Sequence, residues 1–193
     1  QPIPAIEQFV GNRKVIVAGS TWKEDEKVLQ KTFGAINDHS IKLIIAPHEV
    51  NASHLDDLKK LFPESVLFSR LTTHDPRLKT DNVLIIDNIG MLSRLYHYGY
   101  ITFIGGSFRK MGVHNVLEAA VYGKPVLFGP FYKKYMEAID LVNTGGAICV
   151  HDVDECIRVM QSLLQNKGEY ELRSDQSLNY VRRKKGATEK IIQ

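Results

Sequence analysis

The residues best suited to chemistry lie between Ile101 and Pro130, in the run I-T-F-I-G-G-S-F-R-K-M-G-V-H-N-V-L-E-A-A-V-Y-G-K-P-V-L-F-G-P. Gly105 and Gly106 let the backbone turn sharply and approach a ligand with no Cβ in the way. Ser107 offers a hydroxyl and an N–H. His114 and Asn115 fall where the first turn of a helix is expected, and the side chains and amides there suit a phosphate. Glu118 is three residues after Asn115 and four after His114, so all three share a helical face. A carboxylate one turn below a phosphate is placed to accept hydrogen bonds from the two hydroxyls of a ribose. Each residue also has a plain structural reading: Asn115 caps the helix, and Glu118 favours its N-terminal half.

The elements that position these groups read as strand, glycine turn, helix and strand. Tyr100 to Ile104 is an apolar run, the helix runs from near His114 to about Tyr122 and stops at Gly123, and Val126 to Phe128 is the next apolar run. In open α/β sheets, ligands bind at the carboxyl ends of the strands. The same alternation extends along the chain. Strands are expected at Lys14 to Gly19, Ile41 to Ala46, Val66 to Ser69, Val83 to Ile86 and Ala147 to Val150. Helices are expected after Thr21 through Ile36, and at Ala52 to Phe62, Met91 to Tyr98, up to Val142, Val153 to Leu164 and Leu172 to Val181. Arg70 to Asp81 reads as a loop or edge excursion. The fold class is α/β, a Rossmann-like doubly wound parallel sheet of about six strands. Ser20, His48, Asp87 and Ser107 all follow strands and should line one edge. Ser20 and Thr21 read either as ligand contacts or as an N-cap, and the acids Glu24, Asp25 and Glu26 suit a helix N-terminus.

Composition narrows the classes. The chain has 193 residues, 44% of them hydrophobic, enough for one cored domain. A formal charge of +3 falls short of a dedicated nucleic-acid binder. The aromatic and basic stretch Phe131 to Tyr135 reads as a nucleic-acid patch or as a loop beside the ligand cleft. Cys149 reads as a small core residue and Cys156 falls in a helical pattern, and both fit a reducing cytoplasm. No signal peptide and no apolar run of the ~20 residues that span a bilayer is present, so this stretch is expected to be soluble. The cluster Arg182, Arg183, Lys184 and Lys185 reads as a solvated helix end or as a patch for an anionic leaflet.

Four segments resemble motifs of the 3-deoxy-D-manno-octulosonic acid (Kdo) transferases, glycosyltransferases of the GT-B fold. They are G-G-S-F-R-K-M-G-V-H-N-V-L-E-A-A-V-Y-G-K-P-V-L-F-G-P, A-G-S-T-W-K-E-D-E from Ala18, I-I-A-P-H-E from Ile44 and D-N-I-G-M-L from Asp87. The resemblance implies the C-terminal, donor-binding half of such an enzyme, taking Kdo from CMP-Kdo to lipid A precursor in lipopolysaccharide biosynthesis. It implies donor contacts at Ser20, Thr21, His48, Gly105, Gly106, Ser107, His114, Asn115 and Glu118. The catalytic base, acceptor site and membrane anchor then belong to an N-terminal half, and the full-length protein works at the cytoplasmic face of the inner membrane of a Gram-negative cell. Residues 1–12 read as a linker from that half and 13–193 as the donor domain, which alone would bind donor but transfer nothing. No cofactor or metal is expected, since no D-x-D motif appears. The sequence departs from the family at His48, where Arg is usual, at Met91, where Glu is usual, and at Val116 and Ala119, where prolines are common. Two alternatives stay open: the donor domain of a GT-B enzyme using a UDP-sugar, and a non-catalytic nucleotide-binding domain. A dinucleotide oxidoreductase is disfavoured because the first strand ends in Gly-Ser-Thr rather than G-x-G-x-x-G.

Overall fold

Short runs of β-branched and other apolar residues, buried on both faces, build one parallel sheet. Its strands are β1 (Lys14–Thr21), β2 (Ile41–Pro47), β3 (Val66–Leu67), β4 (Val83–Ile85), β5 (Ile101–Ile104), β6 (Val126–Phe128) and β7 (Ala147–Cys149). The computed structural model describes residues 2–72 and 75–191, with side chains described as far as residue 184. The strand order is β3-β4-β2-β1-β5-β6-β7, and every neighbouring pair is parallel. From β1 the chain first winds to one side, through β2, β3 and β4; β5 then crosses to the other side of β1. The switch point, where a parallel sheet leaves a crevice, is between the carboxyl ends of β1 and β5.

Alternation along the strands divides the core into two layers. Val15 and Val17 of β1 share one face with Ile44, Leu84 and Ile104, while Ile16 and Ala18 share the other with Leu43, Ile45 and Phe103. The second face is covered by α2 (Lys23–Ile36), α3 (Ala52–Leu61) and α8 (Val153–Gln165) through Leu29, Leu58 and Met160. The first is covered by α1 (Pro4–Val10), α4 (Arg77–Thr80), α5 (Leu92–Leu95), α6 (Leu117–Ala120), α7 (Met136–Thr144) and part of α9 (Lys167–Ile191). Local chemistry sets several helix ends. The Asn51 side chain accepts the His54 N–H, that of Asp152 accepts the Glu155 N–H, and Gly145 closes α7 in the left-handed region with φ 82°. Among the described residues no helix is long and apolar enough to cross a membrane.

Several expectations are corrected in detail. The stretch read as a linker contains α1, with Pro4 at its start, where a missing N–H costs nothing. Ile6 and Phe9 are fully buried, the Ile3 N–H donates to the Tyr98 hydroxyl at 2.8 Å, and the Lys42 ammonium lies 4.1 Å from the centre of the Phe9 ring. That ammonium also donates to the Leu78 carbonyl at 2.6 Å, and burial lowers its pKa to about 8. Residues 4–10 are therefore part of the core. The stretch from Arg70 to Asp81 contains α4, and its residues Thr73 and His74 lie outside those described. The expected Met91–Tyr98 helix is α5 followed by a 3-10 turn, Tyr96–Tyr98. The third strand pairs only at Val66–Leu67 before a 3-10 turn, Phe68–Arg70, and the last helix is 25 residues long.

If α1 belongs to the core, Phe9→Ala should destabilise the chain by about 3–5 kcal/mol, as large-to-small core changes do. Urea unfolding followed by circular dichroism measures this; a loss below about 1 kcal/mol would mean that α1 packs only loosely.

Candidate functional site

The crevice at the switch point is closed at its base by the ends of β1 and β5. The Gly105 N–H donates to the Gly19 carbonyl at 2.9 Å. Ser20 has φ 53°, and the register of β1 against β2 shifts there. A Cβ at Gly105 would sit 2.3 Å from the Ser20 carbonyl oxygen and 2.6 Å from the Thr21 Cα, so only glycine fits. Gly106 takes φ 88°, which glycine adopts without steric cost.

The Asp25 carboxylate holds the two turns together. It accepts the N–H groups of Trp22 at 2.9 Å, Gly106 at 2.8 Å and Phe108 at 3.2 Å. Asp25 is fully buried, and burial raises its pKa to about 6 against the opposing pull of those three bonds. The amides of Gly106 and Phe108 are therefore aimed at Asp25. Glu26, next in sequence, anchors a second buried cluster. It accepts the Thr21 hydroxyl at 2.9 Å and meets His54 Nε2 at 2.9 Å, and burial raises its pKa. The acids read as favouring a helix start are thus buried acceptors at Asp25 and Glu26.

Two expected contacts are turned inward by these networks. The Thr21 hydroxyl belongs to Glu26. The Ser107 hydroxyl accepts the Gly129 N–H at 2.6 Å and donates to the Ile104 carbonyl at 3.3 Å, with Ser107 fully buried. Both residues stand at the crevice, and both hydroxyls hold the fold. Asp87 is at the carboxyl edge as expected, but it accepts the Ser69 N–H at 2.8 Å and the Ser69 hydroxyl, tying β4 to the turn after β3 two strands from the crevice.

The open part of the crevice is a cleft of about 480 Å³ whose walls include Trp22, His48, His114, Asn115, Tyr135 and Glu137. Three rings stack at its mouth. Trp22 and His48 have centroids 4.5 Å apart, as do His48 and His114. The Arg109 guanidinium carbon lies 4.0 Å from the centre of the Trp22 ring. The Trp22 indole N–H donates to His114 Nε2 at 3.0 Å. Burial, then His48 and Arg109, lowers the His114 pKa. Tyr135 brings the aromatic stretch after Pro130 to the cleft, as one of its two readings held. A second hollow, of about 360 Å³, lies at the opposite, amino edge of the sheet between Phe33, Gly34 and Phe62.

His114 and Asn115 precede their helix instead of forming its first turn. The His114 N–H donates to the Gly105 carbonyl at 3.2 Å and the Val113 N–H to the Phe131 carbonyl at 3.0 Å, which keeps this segment out of a helix until Val116. Asn115 then caps the turn, its Oδ1 accepting the Leu117 N–H at 3.1 Å while its Nδ2 donates to Glu118 Oε1 at 3.1 Å. Glu118 is half-buried and joins the cleft through Asn115. Trp22 and Asp25 received no individual role in the sequence reading. Trp22 carried one usable signal: it is the only tryptophan, and it directly follows the strand end. Among the described residues, no group of three or more His, Cys, Asp and Glu side chains is arranged to hold a metal ion.

No protein-family model matches the chain. The chain is 31% identical over 157 residues to the 3-deoxy-D-manno-octulosonic acid transferase of Aquifex aeolicus, covering 80% of this chain and 43% of that protein. It is 30% identical over 178 residues to a bifunctional glycosyltransferase/methyltransferase of Fusobacterium nucleatum, covering 88% of this chain and 26% of that protein. It thus spans less than half the length of these curated relatives. Among solved structures, the C-terminal CMP-Kdo binding domain of WaaA from Acinetobacter baumannii superposes with a TM-score of 0.77 at 19% identity, over 91% of this chain and 93% of that one. The fold is the Rossmann-like fold of GT-B C-terminal domains, and the motif resemblance stands: the chain is a relative of the Kdo transferases.

Asp25→Asn keeps the shape but faces amide hydrogens toward backbone N–H donors, and should cost about 1–3 kcal/mol. Because the Asp25 pKa is raised on folding, its carboxyl adds stability that is full below the ordinary carboxylate range and is lost as pH rises through about 6. The stability gap between wild type and Asp25→Asn should therefore narrow from pH 5 to pH 7.5 in urea titrations. A gap that widens over this range would contradict the buried, raised-pKa carboxylate.

Proposed function

We propose that this chain is the donor-nucleotide domain of a glycosyltransferase whose donor is CMP-Kdo and whose acceptor is a lipid A precursor. One observation carries this reading: a ring-lined cleft with His48, His114 and Asn115 in its walls occupies the β1/β5 switch point of a chain whose sequence relatives include Kdo transferases. The binding named for the WaaA domain supports CMP-Kdo as the ligand.

The roles follow from what the cleft leaves available. His114 and the Asn115 amide face the donor phosphate, with Arg109 supplying positive charge beside the Trp22 ring. Glu118, one turn below and bonded to Asn115, accepts the ribose hydroxyls. Ser20 and His48 border the Kdo moiety, whereas Thr21 and Ser107 act by holding the two turns. In the transfer, the anomeric carbon–oxygen bond to the phosphate breaks and CMP leaves. An acceptor hydroxyl oxygen bonds to that carbon, and its proton passes to a base outside this domain. The growing phosphate charge is met by fixed hydrogen-bond donors without a metal. The basic end of α9, where Arg182 and Arg183 are exposed, suits peripheral contact with the anionic cytoplasmic leaflet of the inner membrane; the Lys185 side chain lies outside those described.

Parallel calorimetric titrations with CMP, UDP and NAD test the reading. CMP should bind selectively, and Glu118→Ala should weaken it by at least about tenfold, or ~1.4 kcal/mol, with circular dichroism unchanged. A preference for UDP would move the function to a UDP-sugar transferase, and unchanged affinity in Glu118→Ala would remove Glu118 from the site.

A further inference from the structure

We propose that Trp22 is a positioning residue that fixes His114 in the neutral form protonated on Nδ1, so that the cleft presents this N–H to an anionic oxygen of its ligand. The proposal rests on the reading that the cleft receives a nucleotide phosphate.

The geometry leaves little choice of tautomer. An indole nitrogen can only donate, and Trp22 Nε1 lies 3.0 Å from His114 Nε2. Nε2 must therefore offer its lone pair, and the ring's single proton belongs on Nδ1. The Cδ2–Nε2 edge of the ring rests on the glycine turn: a Cβ at Gly106 would come 2.8 Å from Cδ2 and 3.1 Å from Nε2. Nδ1 is on the other edge of a ring that lines the cleft. A second proton would place an Nε2–H against the indole N–H. It would also put a cation against the stacked His48 and add to the repulsion from the Arg109 charge. The carboxylates nearest the cleft do not offset this. Glu118 accepts the Asn115 amide, and Glu137, which belongs to α7, makes no ion pair with His114 among the described residues. His114 therefore works as a neutral donor whose direction is set by Trp22, while the Arg109 charge rests on the Trp22 ring.

Long-range ¹H–¹⁵N correlation spectra of the His114 ring test the tautomer without any ligand. The wild-type ring should be the Nδ1–H form at pH 7.5, and in Trp22→Phe, which keeps a stacking ring but loses the donor, the Nε2–H form should gain population. CMP titration then separates positioning from packing. Trp22→Phe should lose about tenfold in affinity. His114→Asn places a donor near the Nδ1 position without help from the indole, so adding Trp22→Phe to it should cost less than about twofold. A wild-type ring in the Nε2–H form would overturn the proposal. So would an equal loss from Trp22→Phe in both backgrounds, because that is the signature of packing alone. Failure of the wild-type chain to bind CMP would overturn the nucleotide reading, and the ring spectra would still decide the tautomer.

Discussion

The crevice depends on one buried carboxylate. Asp25 sits in the first turn of the helix after β1, yet two of its three hydrogen bonds reach the glycine turn after β5, more than eighty residues away. A buried carboxyl group left without these partners would be costly, so the three N–H groups and the Asp25 oxygens hold one another in place. This fixes the distance between the two loops that flank the switch point. It also explains why Gly105 and Gly106 are needed: the turn must pass close to Ser20 and still aim its amides at Asp25. The second buried cluster, Thr21, Glu26 and His54, does the same for the junction of β1, α2 and α3.

With the Gly106 and Phe108 amides engaged by Asp25, the groups left open in the cleft come from the segment that follows. Residues 113–115 are drawn back by backbone bonds to Gly105 and Phe131, which carries His114 and Asn115 to the cleft wall beside Trp22 and His48. His48, standing where the related motif has arginine, contributes a ring to a stack rather than a fixed charge. Arg109 supplies positive charge from the neighbouring loop, resting on the Trp22 ring. The division of labour is clear: inner polar side chains are spent on geometry, and outer ones remain for a ligand.

The sheet was legible because its strands are apolar runs, most of them ended by glycine, serine or proline, and because strand and helix patterns alternate along the chain. What escaped was set by contacts distant in sequence. The start of the chain reads as a linker from its two prolines, but Pro4 falls at the one helical position that suits it, and Ile6 and Phe9 find a core that only the folded sheet provides. The helix expected from His114 is shortened by a bond from its backbone to Gly105. That Ser20, Thr21 and Ser107 stand at strand ends could be read from local pattern. Which way the hydroxyls of Thr21 and Ser107 turn could not, because Glu26 and Gly129 decide it. The residues of the motifs that begin at Ala18 and Gly105 gather at the crevice, and the structure separates those that line it from those that hold it.

The central claim is that a cytidine nucleotide sits at the β1/β5 switch point with its phosphate against His114 and Asn115. Backbone amide shift mapping during a CMP titration tests this most directly. The account predicts perturbations concentrated at Trp22, His48 and residues 112–118, with the amino edge of the sheet silent. Perturbations centred instead on the hollow between Phe33 and Phe62, or spread without focus, would contradict it.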